Sequence, residues 1–356
     1  MTPLYPHQYI DRSTGRVETE TLFADRLVNT LYAPDRERPS RLFRLLTSAR
    51  MSRILGWATY DAAISSRIAR AGQFHRSLGI DPDECLEPLG TLDTARKIFE
   101  RKIRYWQFRP MPGEPDTVVS PADARVLVGS FSRMSQIFIK EKFFHYAELI
   151  GSHRPEWIDA FQDGDVAVFR LTPDKYHYNH TPVAGRVLDI YDIPGAYHPC
   201  NPGAIMAMSA SFSKNRRVVT IIDTDVPGGS RVGLVAMIEV AALMIGDIVQ
   251  CYSEERYDDP RDVLPGMFLK KGVPKSLYRP GSSTDVLVFQ PGKVVFSNDI
   301  LHNLHRSGIQ TRFSEGFGSP LVETEVQVRQ EIARRIPLDR PSDLSIPLSS
   351  SKERKA

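Results

Sequence analysis

The chain has 356 residues, 41% of them hydrophobic, and its 46 Lys and Arg against 43 Asp and Glu leave a formal charge of only +3. That size and apolar content allow a sizeable core in one large or two modest domains, while the small net charge gives no overall signature of nucleic-acid binding. Cys85, Cys200 and Cys251 lack metal, redox or disulfide spacing and suit a reducing compartment, and neither a signal peptide nor the roughly 18 apolar residues of a membrane span is evident.

In chain order, residues 1–35 show no sustained periodicity and are expected to form an extended or partly helical lead-in. From Arg41 the apolar residues Leu42, Leu45, Leu46, Ile54, Leu55 and Trp57 alternate with Arg41, Arg44, Arg50 and Arg53, the pattern of a basic amphipathic helix. Such a helix suits the boundary of an anionic membrane, and equally an ordinary helix packed on a domain with its basic face in water. The local charge favours an anionic surface, because 15 Arg or Lys stand against 8 Asp or Glu between Arg36 and Arg109. A second helix is expected over residues 94–108, with Ala95, Ile98, Phe99, Ile103 and Trp106 on one face and Asp93 or Thr91 as cap.

After Pro110-Met111-Pro112-Gly113 the composition turns to short β-branched runs broken by Pro, Gly and Asp. Strands are expected at 125–128, 166–171, 185–191, 217–223, 286–289 and 294–296, with 232–240 too β-branched at its start for a helix. The fold class is therefore α+β: an N-terminal, membrane-associating region with amphipathic helices (1–110), a β-rich catalytic domain (111–336) and a Pro-, Ser- and charge-rich mobile tail (337–356).

Three turns of the β-rich part hold chemistry-bearing residues. Pro280-Gly281-Ser282-Ser283-Thr284 sets hydroxyls on a turn just before the apolar run 286–289. An isolated turn of this kind serves as a polar hairpin entry. A serine there can also attack the carbonyl before it, turning an amide into an ester; β-elimination then leaves dehydroalanine, which hydrolyses to a pyruvoyl group at a new N-terminus. His177 and His180 would share a side of a helix as metal ligands, but they lie between a strand and Thr181-Pro182 with no third ligand nearby, so no metal is expected. Asp123, His180 and Ser283 supply the residue types of a Ser, His and Asp arrangement, which is recognised by geometry and not by order in the chain.

The sequence resembles the phosphatidylserine decarboxylase family over nearly its full length. SPADARV is similar to the family element P-x-D-G-R-[IV], TPDKYHYNHTPVAG to D-Y-H-x-x-H-x-P-x-x-G, and GSSTDVLVF to L-G-S-T followed by an apolar strand. Ala124 replaces a usual glycine, and Ser282 stands where the family has Gly; matching the downstream strand places the pyruvoyl precursor at Ser283 and the cut between Ser282 and Ser283. The resemblance implies that Asp123 holds His180, that His180 deprotonates Ser283, and that His177 protonates the carbanion left after decarboxylation. It also implies a Schiff base between a substrate amine and the pyruvoyl group, and two chains that remain together as a heterodimer. The activity it implies is conversion of phosphatidylserine to phosphatidylethanolamine and CO2 by a peripheral enzyme at the cytoplasmic, anionic face of a membrane. The alternative is a soluble pyruvoyl-dependent decarboxylase of a free amino acid, aromatic ones among the candidates.

Overall fold

A computed structural model of the chain describes residues 6–22, 78–132, 144–198, 200–207, 211–242, 247–281 and 283–337. The expected basic helix around residues 41–57, Ser282 and residues 338–356 of the expected tail lie outside the described residues. The described part is α+β and rich in strands, as expected from the sequence.

The strands, in chain order, are β1 (Gln8–Asp11), β2 (Val17–Thr19), β3 (Thr117–Val119), β4 (Ala124–Ser130), β5 (Asp165–Leu171), β6 (Tyr178–His180), β7 (Gly185–Ile193) and β8 (Arg217–Asp223). They continue with β9 (Leu234–Ala241), β10 (Ile248–Gln250), β11 (Phe268–Leu269), β12 (Pro274–Tyr278), β13 (Ser283–Phe289), β14 (Val294–Phe296), β15 (Thr324–Val326) and β16 (Glu331–Arg335). Ten of them form one sheet in the order β11-β7-β8-β9-β13-β5-β4-β15-β1-β2, and two three-stranded sheets, β10-β12-β6 and β14-β16-β3, accompany it.

β13 lies near the middle of the large sheet, antiparallel to β9 on one side and β5 on the other. The three strands read VLVF, VAVF and LVAMI with no polar alternation, because both faces of this part of the sheet are covered. Val286, Leu287, Val288 and Phe289 are all fully buried, and complete burial of such side chains contributes about 1.5–3 kcal/mol each. That packing fixes the strand whose first residue is Ser283. The segments after Ser282 do not form a separate lobe: β13 separates β9 from β5, β15 separates β4 from β1, and β14 and β16 pair with β3 through β16.

Two N-terminal expectations change. Residues 8–19 form a hairpin at the edge of the large sheet, turned where Asp11 Oδ1 accepts from the main-chain N–H groups of Ser13 (2.7 Å) and Thr14 (3.3 Å), and β1 runs parallel to β15. The expected helix over 94–108 is two short ones, α1 (Ala95–Phe99) and α2 (Tyr105–Phe108). Thr94 is the cap, accepting from Lys97 N–H at 3.2 Å. Between the helices Ile103 bridges to Cys85, and the Tyr257 hydroxyl takes both its main-chain N–H (3.1 Å) and carbonyl (2.8 Å), so tertiary bonds replace the helical ones there.

Candidate active site

Asp123 ends the turn that leads into β4. Its Oδ1 accepts from Val328 N–H at 2.8 Å and from Arg109 Nε at 3.1 Å, and its Oδ2 accepts from Arg109 Nη2 at 2.8 Å. Arg109, just beyond α2, also grips both oxygens of Glu84 at 2.8 Å. Burial alone would raise the Asp123 carboxyl, but the Arg109 charge and hydrogen bonds more than offset it and hold the group below the usual carboxylate range.

His180 closes β6, with its N–H bonded to the Pro121 carbonyl at 2.7 Å, which ties the histidine strand to the aspartate turn. Its Nδ1 lies 3.1 Å from the Gly272 carbonyl and its Nε2 3.0 Å from the Tyr176 hydroxyl. A carbonyl only accepts, so this network assigns the hydrogen to Nδ1 and leaves the Nε2 lone pair facing the phenol. Gly272 has φ +75 and an added Cβ would lie 2.3 Å from Met111 Sδ, so only glycine makes the tight turn that aims this carbonyl. Tyr176 is in turn 2.7 Å from the Tyr257 hydroxyl, and the Tyr105 ring meets the imidazole edge-on at 4.6 Å. Burial pushes His180 down to about 3, so the imidazole rests neutral.

His177 precedes β6, and its carbonyl accepts from Tyr278 N–H at 3.0 Å, joining it to the end of β12. Its ring stacks on Phe99 of α1 at 3.5 Å, and neither ring nitrogen has a hydrogen-bond partner among the described residues. Burial, then the charge of Arg101, push it down to about 3. Arg101, Arg109, Asp123 and Tyr176 border a cavity of about 240 Å³. Arg101 is buried there, donates to the carbonyls of Ile98 (3.0 Å) and Asp174 (2.8 Å), and has no carboxylate within ion-pair distance among the described residues.

Ser283 opens β13, in register with Leu171 and Ala241, and is 1% exposed. Its Oγ has no hydrogen-bond partner among the described residues. Buried hydroxyls are ordinarily paired, so an orphan at this position calls for a functional explanation.

The structure therefore brings the Asp123 turn and the His180 strand together through the main chain, but it makes no direct bond between their side chains: Asp123 is taken by Arg109 and Val328, His180 by Tyr176 and Gly272. Nor is there a hydrogen bond from Ser283 to either histidine. Arg109, Tyr176 and Tyr257 were not read as site residues from the sequence; Tyr176 lies within the motif TPDKYHYNHTPVAG, four residues before His180, and was open to reading there, whereas no local signal marks Arg109 or Tyr257. A separate group, His7, Glu20 and Glu323, gathers possible metal-ligand atoms within 4.8 Å of one another. There Arg170 already supplies the cation, at 2.6 Å from both carboxylates.

Comparison with known proteins places these residues in context. A profile of the phosphatidylserine decarboxylase family matches residues 95–319, more than half of the chain. The chain is 30% identical over 311 residues to the phosphatidylserine decarboxylase proenzyme of Chlamydia trachomatis serovar L2, covering 86% of this chain and 95% of that protein. It is 29% identical over 306 residues to the proenzyme of Chlamydia pneumoniae, with 86% and 94% covered. Phosphatidylserine decarboxylase proenzyme 3 of Schizosaccharomyces pombe is 27% identical over 341 residues, which span 94% of this chain and 31% of that longer protein.

Proposed function

Since this chain belongs to the phosphatidylserine decarboxylase family, a family of carboxy-lyases, we propose that it converts phosphatidylserine to phosphatidylethanolamine and CO2 after cutting itself between Ser282 and Ser283. The observation that carries this reading is the Ser283 hydroxyl, buried at the start of a central strand and unpartnered among the described residues.

In self-cleavage the Ser283 Oγ attacks the Ser282 carbonyl carbon, its proton passes to a base, and the Ser283 nitrogen leaves as an amine. The resulting ester loses the Ser283 α-proton and the Ser282 carboxylate, leaving dehydroalanine, which takes up water and releases the Ser283 nitrogen as ammonia to give the pyruvoyl group. His180 is the base, because burial keeps it neutral and its Nε2 holds a lone pair. Asp123 acts on it across the turn, through the main-chain bond from His180 to Pro121 and through its charge, with no direct contact. Tyr176, on the lone pair in the uncut chain, is the group that must yield it.

A pyruvoyl group at residue 283 would supply a carbonyl electrophile and electron sink for loss of CO2. The burial of Ser283 suits such a group, since water is kept from it. His177 holds the proton returned to carbon. Neutral in the uncut chain, it takes up that proton when a substrate carboxylate enters beside it, an opposite charge favouring the imidazolium. Arg101, in the cavity next to Asp123 and without a carboxylate partner among the described residues, offers the anionic headgroup a counter-charge.

Mass spectrometry and N-terminal chemistry of the purified protein test the reading. Two chains are expected, the smaller about 8 kDa and blocked to Edman degradation because a pyruvoyl group has no amine. Only the intact 40.2 kDa chain would count against it.

A further inference from the structure

β13 contains one acid, Asp285, fully buried just before the apolar run and two residues beyond Ser283. Beside it, at the Thr284–Val240 pair, a phenol bridges β13 and β9: Val240 N–H donates to the Tyr278 hydroxyl oxygen at 3.1 Å, and that oxygen lies 2.9 Å from the Thr284 carbonyl and 2.7 Å from Asp285 Oδ1. A phenol has one proton to give. If Asp285 is ionised, its carboxylate competes with the Thr284 carbonyl for that proton and takes it, being the stronger acceptor. If Asp285 is protonated, the acid donates to Tyr278, and the phenol proton goes to Thr284. Only the second arrangement gives every close contact around the phenol oxygen its own proton.

The surroundings favour the protonated form. Asp285 stands directly across from Glu239 of β9, while Phe169 of β5 offers no charge on the other side. From β12, Lys275 Nζ lies 2.7 Å from Glu239 Oε2, and Ser276 donates to Glu239 Oε1, so the nearest cation is already engaged. Gln250 of β10 also donates to Glu239, at 3.1 Å. Burial and the Glu239 charge hold the Asp285 carboxyl well above its usual range.

Resting on the reading that Ser283 is the self-cleaving serine, we infer that Tyr278 and protonated Asp285 form a clamp on the Thr284 carbonyl that positions Ser283 for attack. Thr284 is the residue to which Ser283 is bonded, so a hold on its carbonyl is a hold on the backbone that carries the serine hydroxyl. Tyr278 and Asp285 are positioning residues; neither touches the Ser283 hydroxyl. Ionisation of Asp285 draws the phenol proton away and releases the clamp.

The test follows the appearance of the small fragment after translation of the full chain, from about pH 6 to 9, for wild type, Tyr278→Phe, Asp285→Asn, Asp285→Val and Ser283→Ala. Tyr278→Phe and Asp285→Val are expected to slow cutting at least about tenfold. Asp285→Asn, whose amide still donates to the phenol, should stay within about twofold of wild type. Wild type should slow as rising pH ionises Asp285, and Asp285→Asn should not. This pH contrast and the Asn rescue decide the matter even if Tyr278→Phe or Asp285→Val does not fold, since lost packing alone would produce neither. Cutting by Tyr278→Phe at the wild-type rate, an Asn variant as slow as the Val variant, or a high-pH decline shared equally by wild type and Asp285→Asn would overturn the clamp while leaving Ser283 in place. A fragment that still forms in Ser283→Ala would overturn the underlying reading, and the clamp with it.

Discussion

Arg109→Met removes a guanidinium while keeping most of the side-chain length. Arg109 is 5% exposed and holds Asp123, itself 6% exposed, at 2.8 and 3.1 Å, and Glu84 at 2.8 Å through both oxygens. Removing one partner of a buried ion pair costs about 3–5 kcal/mol, because the other charge is left behind. Glu84 is partly exposed and can turn to water, so the cost falls mainly on Asp123, which keeps only the Val328 N–H among the described residues. The pH dependence has a definite sign. In the wild type the Asp123 carboxyl is depressed, so its stabilisation is present above the ordinary Asp value of about 3.9 and is lost as pH falls through the folded value. Without Arg109, burial raises the group instead, and the penalty is greatest at neutral pH, shrinking as pH falls toward the ordinary value. Urea unfolding of the uncut Ser283→Ala chain, with and without Arg109→Met, should show a loss of about 3–5 kcal/mol at about pH 7.5 and distinctly less at about pH 5. A loss below about 1 kcal/mol, or an equal loss at both pH values, would refute the assignment of Arg109 as the counter-charge of Asp123.

His180→Ala is expected to leave the chain uncut, whereas His177→Ala should cut and decarboxylate poorly; a fully active His177→Ala enzyme would reduce that residue to packing. Because both imidazoles sit near 3 in the uncut chain, self-cleavage should show no acid limb near the ordinary histidine value of about 6.5, which a rate profile checks directly. Glu239→Gln or Lys275→Met alone should each destabilise the uncut chain by about 3–5 kcal/mol, with the double variant losing less than the sum; strict additivity in urea unfolding would mean that the pair does not interact. Membrane association by the arginine-rich segment around residues 41–57 predicts sedimentation with anionic vesicles, release as the Debye length falls from about 10 Å at 0.1 M to about 3 Å at 1 M salt, and loss when Arg41, Arg44, Arg50 and Arg53 become Gln; equal binding to neutral vesicles would remove the electrostatic cause.

The strands around Ser283 were legible wherever burial makes a continuous apolar run. β8 was read at its observed limits, 217–223, and β14 at 294–296. β13 begins three residues earlier than its apolar run suggests, because Ser283, Thr284 and Asp285 are buried polar residues whose ladder partners come from β5 and β9. Nothing within the local sequence states that. The β1–β2 hairpin was missed because its strands are short and polar and gain their order from β15, more than 300 residues away. For the site, motif resemblance supplied Asp123, His177, His180 and Ser283, while the groups that set their protonation came from elsewhere: Arg109 lies 14 residues before Asp123, and Tyr257 lies 81 residues beyond Tyr176. Such pairings are properties of the fold and leave no periodicity to read.

The placement of β13 and β15 among strands from the first part of the chain bears on what happens after a cut. Scission before Ser283 would break one covalent bond and no strand pairing within β13, so the two pieces would remain woven into one sheet. Unfolding would then become a dissociation. Its midpoint should rise with protein concentration, since two separate chains must meet again to refold, whereas the uncut chain carries both parts on one thread. Maturation would thus act as a one-way latch: the polypeptide can find this weave as a single chain, and afterwards the weave is held by the kinetic difficulty of undoing it.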